Sequence, residues 1–295
     1  TRAERRPADR CGARWLALAR RLGQARGMRV HHLNCGTMCP LAGGAIGSGT
    51  GLRRGLMVCH CLLIETPRDG LVLVDTGWGT RECREPSLLP GYFRRLTGPT
   101  LDARETAHAQ LAGLGFAPTD VRHVVVTHLD LDHAGGLSDF PHATVHLHQR
   151  ELDAATTRAT RAERSRYLPH QWAHQPRWSA VAEQGDTWRG LPAVRKLPGL
   201  DADIGLVPLH GHTRGHSGVI VDAGERAYLH AGDAYFHHTE LAPGGKAPFG
   251  LRAFQSLIQM DGRARHASQD ALRRLHADHP TVTILSAHDP AELRT

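Results

Sequence analysis

Lysine is almost absent from this chain of 295 residues, and Lys196 and Lys246 are the only two. Arginine therefore carries nearly all of the positive charge behind the formal net charge of +7. Together with abundant alanine, glycine and proline, this bias indicates a GC-rich genome more than a function. Beyond residue 30 the chain also lacks the dense block of arginine and lysine that is typical of a nucleic-acid-binding tail. We therefore expect no nucleic-acid partner.

Long apolar runs are missing as well. No segment approaches the roughly 18 uninterrupted apolar residues that cross a bilayer. A secretory signal is not visible, because the apolar run Trp15–Ala19 is short and flanked by arginine. We expect a cytoplasmic protein that has no membrane partner.

Cysteine is confined to the first 83 residues, and no two cysteines form a C-x-x-C pair. A zinc ribbon, which needs such pairs, is therefore disfavoured. A metal cluster of four cysteines is one alternative, but buried free thiols are the better interpretation. These four are Cys35, Cys39, Cys59 and Cys61.

The length and the ordinary composition, with 40% apolar and 22% charged residues, predict a globular protein with a large core. Residues 1–27 form an Arg-rich leader, in which Trp15, Leu16, Leu18 and Leu22 have the spacing of one face of a short helix. Residues 28–295 are expected to form one domain.

Residues of about 150–198 differ in character from the rest. A helical stretch rich in arginine, alanine and threonine is followed by Tyr167, Trp172, Trp178 and Trp188. This pattern predicts an insertion that folds as a helical cap. Its aromatic side chains either line a pocket or pin the cap to the body, and the sequence leaves both open. Apolar surfaces of the cap and the leader also leave a homodimer open.

The densest polar motif directly follows the apolar run Val121–Val126, which predicts a buried strand. Alternate residues of an extended segment point the same way, so His128, Asp130 and Asp132 can converge, while His133 turns to the other side of what they hold. Imidazole and carboxylate together fit zinc, iron or manganese. Because the chain has 22 histidines, chance histidines in a polar turn are the alternative.

Four further polar residues stand at the ends of predicted strands. They are Asp75, His212, Asp233 and His288. In order and spacing, the whole set resembles the metallo-β-lactamase superfamily of metal-dependent hydrolases, over residues 28–288. The resemblance implies an α+β fold, a four-layer αββα sandwich in a single domain with a helical cap insertion. It also implies a dinuclear metal centre at one edge of the two sheets.

The same resemblance implies seven metal ligands. One ion would be bound by His128, Asp130 and His212. The second ion would be bound by Asp132, His133 and His288. The bridging carboxylate would be Asp233. Asp75 would orient a ligand, and His216 would contact the ligands without binding a metal ion itself.

Asp130 departs from the family pattern, which has histidine at this position. A carboxylate is a harder ligand than imidazole and adds a negative charge. We expect two divalent metal ions, zinc first, with iron or manganese as alternatives. The acid also prompts an alternative of another class, a di-iron redox enzyme, although no flavin-binding appendage accompanies it.

The resemblance implies hydrolysis by a hydroxide that the dinuclear centre activates, with Asp132 guiding a proton to the leaving group. The motifs are most similar to those of acyl-homoserine-lactone lactonases, which have a tyrosine shortly after the bridging aspartate. Tyr235 then either donates a hydrogen bond to the substrate or is a core residue. We predict hydrolysis of a lactone or ester, on a small apolar or acyl substrate. A thioesterase of the glyoxalase II kind and a phosphodiesterase are alternatives.

Overall fold

Two β-sheets face each other at the centre of the structure, a computed structural model that describes residues 20–25, 27–223 and 226–294. The first sheet has seven strands, antiparallel from β1 to β4 and parallel from β4 to β7. In spatial order they are β1 (Arg20–Ala25), β2 (Met28–Met38), β3 (Met57–Glu65), β4 (Leu71–Val74), β5 (Val121–Val125), β6 (Thr144–His148) and β7 (Arg177–Val181).

The second sheet has six strands, and its neighbours are antiparallel except for one parallel pair at an edge. From the edge with the parallel pair they are β13 (Val282–Leu285), β12 (Ala227–His230), β11 (Ser217–Asp222), β10 (Ile204–Pro208), β9 (Leu191–Lys196) and β8 (Asp186–Trp188). Strands β11 and β12 are consecutive and antiparallel, and Gly224 between them lies outside the described residues.

The helices have ordinary terminal signals. They are α1 (Thr80–Arg84), α2 (Gly91–Thr97), α3 (Ala107–Leu114), α4 (Gln149–Thr157), α5 (Arg161–Arg166), α6 (Phe249–Ile258) and α7 (Gly262–Asp278). Thr106 caps α3 and Asp261 caps α7, each by accepting a backbone N–H of the first turn. Among the described residues, none of the helices is long and apolar enough to span a membrane.

The sheets and helices stack in four layers. Residues of β3 alternate: Leu62 and Ile64 point into the core between the sheets, while Leu63 points outward. The outward face of the first sheet packs on α3 and α4, and Leu229 of the second sheet packs on Leu272 of α7. Because both faces of each sheet are covered, the inner strands read as nearly continuous apolar runs. The predicted αββα sandwich is confirmed.

The segment predicted as a helical cap is only partly helical. Besides α4 and α5 it contains β7, which extends the first sheet, and β8 and β9, which extend the second. The unpaired edges of both sheets offer backbone N–H and C=O groups, and these short runs satisfy them. Trp172 and Trp178 pack against the core of the first sheet and Trp188 against that of the second, so the aromatic residues pin the segment to the body.

The leader also differs from its prediction where it is described. Leu22 lies in β1, which pairs antiparallel with β2, and not in a helix. The edge of β2 supplies hydrogen-bond partners that a short isolated helix would lack. Trp15, Leu16 and Leu18 lie outside the described residues.

The cysteines behave mostly as predicted. Cys35, Cys59 and Cys61 are buried free thiols. Cys39 departs from the prediction, because it takes part in a disulfide bond.

Candidate metal centre

The loops after five strands bring the predicted polar residues to one edge of the sandwich. The adjacent parallel strands β4 and β5 lead to Asp75 and His128. The adjacent parallel strands β12 and β13 lead to Asp233 and His288, and the loop after β10 adds His212. Parallel strands end on the same side of a sheet, which is why residues far apart in sequence meet here.

The first group consists of His128, Asp130, His212 and Asp233. The Oδ2 atom of Asp130 lies 3.4 Å from Nε2 of His128 and 3.0 Å from Nε2 of His212. The Oδ2 atom of Asp233 lies 3.9 Å and 3.3 Å from the same two nitrogens. Ligand atoms about 2.1 Å from a tetrahedral ion lie about 3.4 Å apart. The spacing of the first group therefore suits one ion.

The second group shares Asp233 with the first and adds Asp132, His133 and His288. The Oδ1 atom of Asp233 lies 3.3 Å from Nε2 of His133 and 3.1 Å from Nε2 of His288. Asp132 is slightly farther away, at 3.9 Å and 3.6 Å from these nitrogens. The two oxygens of Asp233 thus face different groups, as a bridging carboxylate requires.

Backbone and hydroxyl partners turn the imidazoles inward. Nδ1 of His288 donates to the carbonyl oxygen of Val58 at 2.8 Å, which leaves its Nε2 as an acceptor. Nδ1 of His128 lies 2.9 Å from the hydroxyl of Thr127. His216 lies behind Asp233, with its Nε2 accepting the Asp233 backbone N–H at 2.9 Å. The tautomers and ring directions suit ligation through Nε2.

Several buried atoms of both groups have no hydrogen-bond partner within the described part of the chain. They are Nε2 of His128, Nε2 of His133, Oδ1 of Asp130 and Oδ1 of Asp233. Buried polar atoms are rarely left unpaired, and nitrogen and carboxylate oxygen are ligands of divalent metals. The residues therefore fit divalent metal ions.

The carboxylates of the centre are held in their charged form. Burial alone would raise the pKa of Asp233, but the surrounding imidazoles, first that of His288, hold this pKa well below its usual range. Burial of Asp130 is likewise outweighed by the Arg166 guanidinium and by His128, which lower its pKa well below the usual range. Both side chains can therefore act as anionic ligands at neutral pH.

Asp75 contacts the ring of His133, one of the predicted ligands. Its carboxylate accepts the Nδ1–H of His133 at 2.8 Å, the backbone N–H of Thr127 at 2.7 Å and the Thr127 hydroxyl at 2.8 Å. Asp75 has a φ of 54°, a left-handed conformation that costs energy for a non-glycine residue. This strained turn directs the Asp75 carboxylate to the His133 ring and to Thr127, which follows β5.

Replacing Asp75 with alanine is expected to lower metal affinity by about 10- to 100-fold, because His133 loses the partner that fixes its ring. Equilibrium dialysis against zinc measures this effect. The exposed Asp186 provides a control, since Asp186→Ala should leave affinity unchanged. Equal affinities of Asp75→Ala and the parent protein would show that Asp75 does not position the ligand.

Two residues of the centre escaped the sequence motifs. Glu151 of α4 is fully buried and accepts four hydrogen bonds that join the loops carrying the ligands. Arg166 of α5 reaches Asp130 and His212. The sequence around Glu151 and Arg166 has no motif that distinguishes them from the other charged residues of their helices. Only the packing of each helix against the centre gives these two residues their contacts.

Tyr235 does not reach the centre, so its predicted catalytic role is wrong. It is completely buried, and its hydroxyl donates to the Glu292 carboxylate at 2.9 Å. It is the next residue of this turn, Phe236, that faces the centre, stacked on the His288 ring with 5.0 Å between centroids.

A further group of His148, Glu183 and His210 also comes together, but its hydrogen bonds do not favour a metal ion. Nδ1 of His148 accepts the backbone N–H of Arg150, so in the neutral ring Nε2 carries the proton. A protonated nitrogen has no lone pair for a metal. His210, which has no role in the family pattern, therefore stays without one.

A cavity of about 250 Å³ opens beside the second group. Ile46, Met57, Phe236 and Leu251 give it apolar walls, and His288 forms part of its lining. A small apolar substrate group bound there would lie next to the centre.

The family model of the metallo-beta-lactamase superfamily matches residues 54–288. A probable metallo-hydrolase of Mycobacterium tuberculosis is 41% identical over 264 residues, which cover 89% of this chain and 81% of the relative. The chain therefore belongs to the metallo-β-lactamase superfamily. Within it, the chain is a metallo-hydrolase, and its fold implies divalent metal ions, usually zinc.

An N-acyl homoserine lactonase of Rhizobium johnstonii is 31% identical over 131 residues, covering 44% of this chain and 49% of the lactonase. A solved N-acyl homoserine lactone hydrolase, with N-hexanoyl-L-homoserine at its catalytic metal centre, has a TM-score of 0.63 at 19% identity, covering 89% and 94% of the two chains. The dizinc lactonase AidC has a TM-score of 0.60 at 16% identity, covering 92% and 90%. These structural likenesses show the shared fold.

Proposed function

We propose that this protein is a dinuclear metal-dependent hydrolase that cleaves the ester bond of a lactone or related ester with an apolar acyl group. The observation that carries the proposal is the division of the Asp233 carboxylate between two buried ligand groups. A carboxylate shared in this way suits two neighbouring ions rather than one.

The two ions would be held by the seven residues expected from the sequence, with the Asp233 carboxylate shared by both ions. The first ion would be bound by His128, Asp130 and His212. The second ion would be bound by Asp132, His133 and His288. Such ions supply a water of lowered pKa and a Lewis acid for a carbonyl oxygen. Nitrogen and oxygen ligands at tetrahedral spacing favour zinc.

Asp132 is the group of the chain that would move the proton. Its side chain is 12% exposed, compared with 2% for His133 and 4% for Asp233, so it lies on the open side of the centre. Its carboxylate would accept a proton from the attacking water and pass it to the leaving oxygen as the ester C–O bond breaks. The products are a carboxylic acid and an alcohol, which remain joined when the substrate is a lactone.

The cavity beside the second group would hold the acyl group of the substrate. Phe236 and Leu251 offer contacts to an aliphatic chain, and because His288 also lines the cavity, a chain bound there would place the ester bond next to the ions. The solved relative that carries N-hexanoyl-L-homoserine supports a substrate of this chemistry.

Asp130 gave the reason to consider di-iron redox chemistry, and its surroundings weaken that reason. Arg166 lies 2.8 Å from Asp130 and offsets the additional negative charge of the carboxylate. The first group together with the Arg166 guanidinium therefore has the same net charge as a group in which histidine stands at position 130. Zinc hydrolysis remains the better proposal.

Metal analysis and a substrate panel test the proposed function. We expect two zinc equivalents per chain and turnover of acyl lactones or esters that disappears on chelation and returns with zinc. Thioesters and bis-p-nitrophenyl phosphate separate the other hydrolases. His128→Ala should lose metal and activity, whereas His142→Ala, an exposed histidine, should lose neither. A metal-free active protein, or an unaffected His128→Ala variant, would contradict the proposal.

A further inference from the structure

Arg166 is held at the first ligand group by three contacts. Its Nη1 donates to Oδ2 of Asp130 at 2.8 Å and lies 3.0 Å from Nε2 of His212. Its Nη2 donates to the carbonyl oxygen of Ile258. The side chain is only 11% exposed. The guanidinium is therefore a fixed part of the centre and not a mobile surface cation.

Nε2 of His212 lies 3.0 Å from both Nη1 of Arg166 and Oδ2 of Asp130. In the tautomer with an unprotonated Nε2, which is the one that can bind a metal ion, this nitrogen accepts from Arg166. A guanidinium stays protonated in proteins, so Nη1 can meet Nε2 of His212 only as a donor. An imidazole nitrogen has one lone pair, which serves either a hydrogen bond or a metal ion. Arg166 must leave His212 before this histidine can bind an ion through Nε2.

The second group has no comparable competitor among the described residues. Nε2 of His133 is buried without a hydrogen-bond partner there. Nε2 of His288 faces the carboxylates of Asp132 and Asp233. These nitrogens are available to an ion without displacing a cation of the chain.

We propose that Arg166 competes with the first metal ion for His212, so that the two sites fill in order. The second group binds its ion tightly. The first group binds only when the guanidinium withdraws from His212, while Asp130 keeps its contact with Arg166 through Oδ2 and offers its unpaired Oδ1 to the ion. This proposal rests on the proposed dinuclear centre and concerns how that centre is filled. It also gives the unusual Asp130 a role, because a histidine at this position would not attract the guanidinium.

Titration of the metal-free protein with zinc, followed by calorimetry, tests the order of filling. The parent protein should bind one equivalent tightly and the second at least about tenfold more weakly, since a charge-assisted hydrogen bond must be displaced. Arg166→Met, which keeps an unbranched side chain but has no donor, should strengthen binding of the second equivalent and narrow the difference between the two affinities. Arg161→Met changes an exposed arginine of the same helix and should leave the ratio at its original value. Cobalt absorption spectra during a parallel titration report each ligand set separately.

The order of filling would be overturned if the parent protein bound both zinc equivalents with equal affinity. It would also be overturned if the ratio of the two affinities were the same in Arg166→Met. Either result would leave the hydrolase proposal intact. Unequal filling without turnover of any panel substrate would instead count against the hydrolase proposal alone. If Arg166→Met does not fold, the milder Arg166→Gln variant decides, because its shorter amide cannot span Asp130, His212 and Ile258. An unchanged ratio in Arg166→Gln would then reject the proposal.

Discussion

Asp233→Ala is expected to reduce bound zinc from two equivalents to less than one and to lower kcat/KM on an ester substrate by at least about 10³-fold. The reason is that both ligand groups share this carboxylate, with Oδ2 at 3.3 Å from His212 and Oδ1 at 3.1 Å from His288. Without this carboxylate, the four histidine ligands of the two groups have no shared anion to hold the two ions together. Elemental analysis and steady-state kinetics on the same preparation measure both quantities.

Two controls separate the bridge from a general loss of fold. Asp233→Asn keeps the side-chain volume and should lose metal nearly as strongly, because the charge is gone. The exposed variant Asp186→Ala should retain both metal and activity. The hydrogen bond from the Asp233 backbone N–H to His216 remains in either Asp233 variant, so circular dichroism of the metal-free variants should still show the folded spectrum. Two bound zinc ions in Asp233→Ala would rule out the bridging role.

The order of strands and ligand residues could be predicted because it depends on short-range patterns. The run Leu71–Val74 is buried throughout, and in β5 the valines are buried although Arg122 is exposed. Each of these strands ends at a polar turn. His128 and His133 lie in one loop, so their convergence follows from local chain geometry. The family resemblance then located Asp233 and His288, which the fold brings to the same edge.

Residues selected by packing could not be predicted in this way. Arg166 is one of several arginines around α5, and only the arrangement of this helix against Asp130 sets it apart from Arg161 or Arg164. The edge strand β7 was missed for a related reason. Its formation depends on the open edge of β6 and not on a strong pattern of its own.

The error at Tyr235 has a simple geometric origin. A family resemblance that locates an aromatic residue to within one position cannot tell which of two neighbours faces the centre. Tyr235 and Phe236 point in opposite directions, one to Glu292 and the other to His288. A shift of one residue in this turn therefore exchanges a core role for a place beside the metal ligands.

Glu151→Ala is expected to lower the free energy of unfolding by roughly 3–4 kcal/mol, because it leaves several buried donors unpaired. The carboxylate accepts the backbone N–H groups of Leu129 and Gly215, each at 3.0 Å, and the hydroxyls of Thr213 at 2.7 Å and Tyr167 at 3.0 Å. These contacts tie the loop of His128 to the loop of His212. Differential scanning calorimetry of the metal-free protein should show a melting temperature lower by about 6–12 °C.

Two further variants distinguish the loss of the hydrogen bonds to Glu151 from the loss of its side-chain volume. Glu183→Ala removes a half-exposed carboxylate near α4 and should cost less than about 1 kcal/mol. Tyr167→Phe removes a single donor, and its effect should largely disappear in the Glu151→Ala background, because the partner of the hydroxyl is already gone. Additive effects of Tyr167→Phe and Glu151→Ala would show that the two side chains act independently. In that case Glu151 would not be the common acceptor that holds the two ligand loops together.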